Sequence, residues 1–536
     1  MKTVFVLFDS LNRLALGAYG GTAIATPNFD RFSKRSVTFD KHYVGSLPCM
    51  PARRDMHTGR LNFMHRHWGP LEPFDDSFAR ILSQNGVYSH LISDHLHYFE
   101  DGGAGYANAF DSWDFIRGQE YDPVKALVAP PIDRYKEKFD TRHYPIDTLK
   151  SGSTITRGTS EHMAWKKSRA AVNRDFLKEE SDFPTAKCFS AAFEFLDLNT
   201  SADDWFLQLE CFDPHEPFVA PERFREAYQS GYNGKILDWP MYEEAANSEA
   251  EIAEIRGNYA ALVAMCDEYF GKLLDYFDAN DLWKDTCLVL STDHGFLLSE
   301  HDWWGKNRTP YYEEISHIPL MISHPDHNEH AGERRSSLSQ TPDLMPTFLD
   351  IHECPTPPSV TGTSLLPLLQ QDVPVHESVA LGMFAGPVCV TDGKYSYFLY
   401  PDDLSGENLS LYTLAPSHLA KPFDISELQS SELVAPFNFT KGVPVLKIRL
   451  DPSNNQLGSD GQTLANCETV LFDLESDPEQ AHPLSEPKTE ARLKVEIAKH
   501  FEQHDAPREL YGHFGLPEPH NNSTKPASRG VDNIQP

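Results

Sequence analysis

The chain has 536 residues with 40% hydrophobic and 12% aromatic content, values of a globular protein too long for one core, so two domains are expected. Its 79 acidic against 47 basic residues leave a net charge of −32, which excludes non-specific nucleic-acid binding. No stretch approaches the ~18 consecutive apolar residues of a membrane span, and 8 cysteines without a CxxC pair exclude a disulfide framework and a zinc pattern.

The apolar run Val4 to Phe8 reads as a central strand buried on both faces. It follows Lys2 almost at once and Asp9 ends it, so it is too short for a signal h-region. The expectation is a cytoplasmic protein, or a periplasmic or secreted one if a leader has been removed. Residues 115–165 are polar with little periodicity and read as a long insertion or loop. Trp205 to Phe212, Thr286 to Thr292 and Ile318 to Ile322 read as further strands. Between Trp205 and Thr292, the residues Leu262, Val263, Cys266, Tyr269, Phe270, Leu273, Leu274 and Phe277 recur at helical spacing, the mark of a core-packing helix.

Strands alternating with helices predict an α/β fold with a large, mostly parallel sheet sandwiched by helices. Ligands in such folds gather at the carboxyl ends of the strands. Asp9, then Asp213 with His215, then Asp293 with His294, each follow a predicted strand, so they are expected at one sheet edge. From about Leu381 the pattern changes. Pro387–Val390, Lys394–Tyr400, Val445–Leu450 and Thr469–Phe472 read as short strands between turns, and Lys488–His504 as an amphipathic helix. The predicted division is a catalytic domain over 1–385, a smaller α+β subdomain with an antiparallel sheet over 386–516, and a flexible tail over 517–536.

Two motifs carry chemistry. Cys49-Met50-Pro51-Ala52-Arg53 runs on to Thr58-Gly59-Arg60, and Asp293-His294-Gly295 directly follows a strand. Alone, the cysteine reads as a small buried hydrophobe and Asp-His-Gly as a turn. Other short motifs stand around them in a fixed order: Tyr19-Gly20, Thr26 to Asp30, Asp213 to Pro217, Gly305-Lys306, Tyr312 to Ile315, Asp343 to Thr347, Gly362 to Leu366 and Leu471 to Pro478. Together they resemble the type I, formylglycine-dependent sulfatases of the alkaline-phosphatase-like superfamily, and the resemblance covers most of the chain.

That resemblance implies an alkaline-phosphatase-like fold and a hydrolase of sulfate esters. Cys49 would be oxidised by a formylglycine-generating maturation enzyme, and its hydrate would attack sulfur in line. An ordinary alcohol would end as a stable sulfate ester, whereas the hydrate can expel sulfate as the aldehyde reforms. Asp9, Cys49, Asp293 and His294 would hold one divalent metal, calcium in preference to magnesium or manganese. Arg53 would steady the hydrate. Lys306 would bind sulfate, and His215 would serve the leaving group.

Two departures stand out. Where many sulfatases carry Asp-Asp, this chain has Asp9-Ser10, so a second carboxylate is missing. The Lys-Trp-His segment of many sulfatases matches Leu91 to Tyr98, which lacks the lysine and carries Asp94 in its place. His97 is taken as the family histidine, with His95 as a substrate contact and Trp304 as a platform for a sugar ring. The expected substrate is a sulfated sugar or polysaccharide fragment. A phosphonate monoester or phosphodiester hydrolase of the same superfamily, and a non-catalytic glycan binder with unmodified Cys49, stay open.

Overall fold

The computed structural model describes residues 1–150, 160–450 and 468–518. The expected tail therefore lies outside the described residues except for Pro517 and Glu518, as does Cys467. The other seven cysteines are free and buried.

Eight strands form the main sheet: β1 Lys2–Phe8, β2 Val37–Tyr43, β3 Tyr88–Ser93, β4 Ser112–Phe115, β5 Trp205–Cys211, β6 Thr286–Thr292 and, after the two-residue pair β7 Leu297–Leu298 and β8 Trp304–Gly305, β9 Leu320–Ser323 and β10 Arg334–Gln340. Their order is β10-β2-β9-β6-β1-β5-β3-β4. Every neighbouring pair is parallel except those of β9, which runs against both β2 and β6. The run Ile318–Ile322 is thus a strand, but a reversed one. It starts two residues late because Pro319 has no N–H to give the ladder.

Side-chain alternation splits β1 between two cores. Val4, Val6 and Phe8 pack with helix Pro184–Leu198 and the long helix Glu249–Ala279. Phe5 and Leu7 face the opposite layer, with Phe78, Phe206 and Phe348. The long helix starts at a capping box, with Ser248 accepting from Glu251 and Glu251 reaching back. Its predicted stripe is buried along its length, from Leu262 to Phe277.

The region read as a loop over 115–165 carries more structure than its composition suggested. Helices occupy Ile132–Lys138 and Ser160–Arg174, while residues 151–159 lie outside the described residues. Tyr135, Phe139, Tyr144 and Trp239 give this segment its own small aromatic core. Periodicity failed there because Ile132–Lys138 has only 7 residues and Ser160–Arg174 lies mostly beyond residue 165.

The C-terminal part forms two antiparallel sheets. β11 Val379–Gly382, β12 Val388–Thr391, β13 Tyr395–Leu399 and β17 Val470–Asp473 make one; β14 Ser410–Thr413, β15 Glu432–Val434 and β16 Val445–Arg449 make the other. The predicted β16 therefore belongs to a separate sheet, and the first sheet begins at Val379, before residue 386. Helix Pro487–Gln503 packs Leu493, Ile497 and Phe501 against Val390, Tyr397 and Leu399. No described helix is long and apolar enough to cross a membrane.

The segment bearing Cys49 is clamped from both sides. Leu47 N–H donates to the Gly382 carbonyl at 2.9 Å, joining the C-terminal sheet to the residues before the helix Cys49–Thr58. Asp75 receives Arg54 at 2.7 Å and Arg60 at 2.8 Å, all three buried. Gly59 closes the helix at φ 62°, a left-handed conformation that glycine adopts without strain. Two Arg side chains on one carboxylate hold the Asp75 pKa at about 2, against the upward pull of burial. Its stabilisation is thus complete above about pH 4 and is lost as pH falls through about 2. Asp75→Asn leaves two buried guanidinium groups short of a counter-charge. We expect it to cost about 3–5 kcal/mol at neutral pH, read as a lowered denaturation midpoint.

Candidate active site

The register of the sheet brings the site together. Phe8 pairs with both Cys211 and Thr292, so Asp9, the residues after β5, and Asp293 leave the sheet at one edge. Ser93 pairs with Glu210, so the segment from Asp94 onward emerges there too. The helix Cys49–Thr58 follows β2, which runs in the same direction. Cys49 is its first residue, where free backbone N–H groups and the helix dipole favour an anion. Arg53 stands one turn further on the same face.

Arg53 is the hub. Its Nη2 donates to Asp9 Oδ2 at 2.8 Å, its Nη1 to Asp293 Oδ2 at 2.6 Å and its Nε to Glu210 Oε1 at 2.7 Å. Arg53 is 1% exposed and all three carboxylates are fully buried. Burial disfavours the Arg53 charge, but the carboxylates overcome it and hold the group firmly protonated. Asp9 is raised by burial yet ends well below the usual carboxylate range because Arg53 and Lys306 face it. Glu210 remains above its ordinary value because burial outweighs Arg53. Tyr98 and Gln208 both donate to its other oxygen, each at 2.8 Å.

One ligand atom each from Asp9, Cys49, Asp293 and His294 lies within 4.8 Å of the others. Cys49 Sγ is 3.1 Å from His294 Nε2, and that nitrogen is 3.2 Å from Asp293 Oδ2. His294 Nδ1–H donates to the Gly295 carbonyl at 2.9 Å, which leaves the Nε2 lone pair free as a ligand. Burial keeps that imidazole neutral by lowering its pKa, although Asp293 pulls the other way. Gly295 permits the turn because a Cβ there would meet the Glu314 carbonyl at 1.8 Å. The donor set fits a divalent cation. Three carboxylates face two cationic side chains, Arg53 and Lys306, so a negative charge is left over. A family-type formylglycine would put an oxygen where Sγ now stands. Ser10 takes the place of the missing carboxylate: its hydroxyl donates to Asp9 Oδ1 at 2.7 Å and its N–H donates to Asp293 Oδ1 at 3.0 Å.

Lys306 and His215 join the same cluster. Lys306 Nζ donates to Ser10 Oγ at 3.2 Å and lies 3.8 Å from Asp9 Oδ1. Burial disfavours its charge, but the Cys49 thiol, Glu216 and Asp9 more than compensate, and its pKa rises. His215 Nδ1–H donates to the Glu216 carbonyl at 2.6 Å. Burial, aided by Lys306, lowers its pKa, so the ring is neutral with Nε2 unprotonated. The Cys49 thiol is pushed up by burial and then by Asp9.

The two histidines exchange the positions expected of them. His95 Nε2 lies 3.4 Å from Asp9 Oδ2, and neither ring nitrogen makes a hydrogen bond. His97 stands one ring further out, 5.1 Å centroid to centroid, with Nδ1 2.7 Å from Glu100. His95 is therefore the inner histidine. Asp94 accepts the Phe212 N–H at 2.7 Å, and burial, with Asp213 nearby, pushes its pKa up. Trp304 is no sugar platform. It is 1% exposed within the core around the long helix, and its Nε1–H donates to Asn247 at 2.8 Å.

Glu210 escaped notice in the sequence, although a signal existed. A carboxylate inside a strand buried on both faces must find a cation or a proton. The Trp205–Phe212 run shows it plainly.

Comparison with known proteins agrees with this geometry. The sulfatase family model matches residues 2–353. A multifunctional alkaline phosphatase superfamily protein, PehA, of Trinickia caryophylli is 25% identical over 66% of this chain and 72% of its own length. An N-acetylglucosamine-6-O-sulfatase of Bacteroides thetaiotaomicron is 24% identical over 69% of this chain and 71% of its own. The crystal structure of a phosphonate monoester hydrolase of Agrobacterium radiobacter superposes with a TM-score of 0.61 at 16% identity, covering 94% of this chain and 96% of that one, which marks a shared alkaline-phosphatase-like fold. With its sheet-edge carboxylates gathered round Cys49 and the match running through all eight strands of the main sheet, the chain belongs to the sulfatase family and is a sulfuric ester hydrolase.

Proposed function

We propose that the chain removes sulfate from a sulfated sugar or a polysaccharide fragment. The observation that carries the reading is the convergence of Asp9, Cys49, Asp293 and His294 beside Lys306 and His215 at the sheet edge. The similarity to an N-acetylglucosamine-6-O-sulfatase supports the sugar part. We also take residues 1–385 as the catalytic domain and 386–516 as a subdomain that braces it.

Asp9, Asp293, His294 and residue 49 would hold the cation; two carboxylates suit a hard divalent ion, and calcium is the metal we favour on the family resemblance. When present, that cation supplies Lewis acidity, and formylglycine made from Cys49 by a maturation enzyme supplies an oxygen nucleophile. The chain's own groups do the rest. Lys306 and the amides at the start of the Cys49 helix attract the anionic sulfate. Arg53 keeps Asp9 ionised and holds both Asp9 and Asp293 in place, and Glu210 fixes Arg53. His215, anchored through Nδ1, keeps Nε2 for proton exchange with the leaving oxygen. His95, with both nitrogens unpaired beside Asp9, is the second group able to take or give a proton there.

Three outcomes are expected. Cys49→Ser reduces sulfate release by matured enzyme at least ~10³-fold while the thermal midpoint stays put, because the nucleophile is lost from a small side chain. Near-normal turnover by that variant would refute the nucleophile assignment. Asp293→Asn weakens calcium binding, read as a smaller calcium-dependent rise in the denaturation temperature, by about tenfold or more in Kd. An unchanged rise would count against Asp293 as a ligand. His95→Ala costs at least ~10-fold more in kcat than His97→Ala, and the reverse order would restore His97 to the inner position. Parallel assays with an aryl sulfate, a phosphodiester and a phosphonate test the substrate reading; turnover of phosphorus esters alone would reject it.

A further inference from the structure

The anchoring of Lys306 falls to a residue outside the expected ligand set. The backbone before the lysine is fixed. Trp304 is held in the core, and Gly305 follows at φ 105°, where a Cβ would meet the Tyr242 ring at 2.5 Å. The four-carbon stem of Lys306 keeps its own freedom, so its buried ammonium needs a separate fixing point. Among the described residues it makes one hydrogen bond, to Ser10 Oγ at 3.2 Å. Asp9 Oδ1 attracts it from 3.8 Å, beyond hydrogen-bond reach.

Ser10 is held more firmly still. It is fully buried and left-handed, with φ 60°. A residue other than glycine keeps such a backbone only where its surroundings enforce it. Here its N–H donates to Asp293 Oδ1 at 3.0 Å, and its carbonyl receives the Tyr259 O–H at 2.9 Å. Its hydroxyl has a single hydrogen, which goes to Asp9 Oδ1 at 2.7 Å. The lone pairs that remain can only accept, and Lys306 is the donor that reaches them.

We propose that Ser10 is the positioning residue for Lys306: its hydroxyl, locked by Asp9, sets where the ammonium stands and thereby the affinity for the sulfate group. This rests on the sulfatase reading of Lys306 and deepens it. A neutral anchor suits the task. A carboxylate at position 10 would take the ammonium as a full ion pair and draw off charge otherwise available to the ester. The hydroxyl takes one N–H and leaves the other two, with the whole charge, for sulfate oxygens. A serine where many sulfatases carry aspartate thus changes how the lysine is held, besides removing a candidate ligand.

The test uses full-length protein carrying Cys49→Ala in calcium-containing buffer at neutral pH, and calorimetry follows the binding of inorganic sulfate. S10G removes the hydroxyl while keeping the backbone N–H and accepting the positive φ. S10A removes it while keeping the Cβ. Both are expected to weaken sulfate binding about tenfold, the scale of one hydrogen bond to a charged group. K306M should weaken it at least as far. Calcium affinity, read separately from the calcium-dependent rise in the denaturation temperature, should stay within about threefold in S10G, because Arg53 still holds Asp9. A purely structural role for Ser10 would lower both affinities together. The inference is overturned if either hydroxyl-free variant binds sulfate as the parent does, if K306M does so, if the parent binds no sulfate, or if calcium binding falls as far as sulfate binding. Sulfate release from an ester by matured wild-type enzyme bears on the sulfatase reading alone, so the two can fail separately.

Discussion

A single guanidinium among three buried carboxylates is the constraint on which the site depends. Asp9, Glu210 and Asp293 come from the ends of three adjacent strands, and Arg53 binds all of them. Without it, three acids at the carboxyl edge of a dry sheet would repel one another or take up protons. An ion pair of this kind is poor evidence for stability, because desolvation offsets most of its attraction. Its contribution is geometric: it ties the helix that begins at Cys49 to the strands that supply the ligands. The spacing of Cys49 and Arg53, one helical turn, lets a single helix deliver both Cys49 and the clamp.

Much of the sequence around Cys49 serves that clamp. Asp55 accepts from the Ser46 hydroxyl at 2.9 Å and from the Asn62 N–H at 3.0 Å, stapling the two flanks of the helix together. Several motifs that pointed to the family are structural supports of the same sort. Asn28 and Phe29 donate through their N–H groups to Asp267 of the long helix. Asp343 receives the N–H groups of Gln340 and Thr363, both at 2.7 Å. These residues never approach the site, but they fix the layers that frame it.

The fold class was legible because its signals are local. Buried parallel strands read as apolar runs, the long helix reads as a stripe, and polar residues at strand ends read as ligands. The direction of β9 was hidden because an antiparallel strand buried on both faces carries the same run of Leu, Met and Ile as a parallel one. Trp304 beside Lys306 was misread because adjacency in sequence says nothing about which way a ring turns; Trp304 enters the core while Lys306 enters the site. His95 stands just before, and His97 within, a short 3-10 turn, Leu96–Phe99, where neither strand nor helix periodicity assigns a face. Only the packed structure separates them.

The acidity of the chain and the anionic substrate are reconciled by distance. A net charge of −32 lies mostly on solvated surface, where its field is screened within about 8 Å at physiological salt. Inside, Arg53 and Lys306 are buried at 1% and 2% exposure, in surroundings where charges act at close range with little screening. Two of the three carboxylates that balance them, Asp9 and Asp293, belong to the set able to hold a divalent cation. A divalent cation held by that set would shift the local sum from negative to positive beside the proposed sulfate position. The negative surface opposes random capture of anions, whereas on the proposed reading the buried centre would take one that fits between Lys306 and the start of the Cys49 helix.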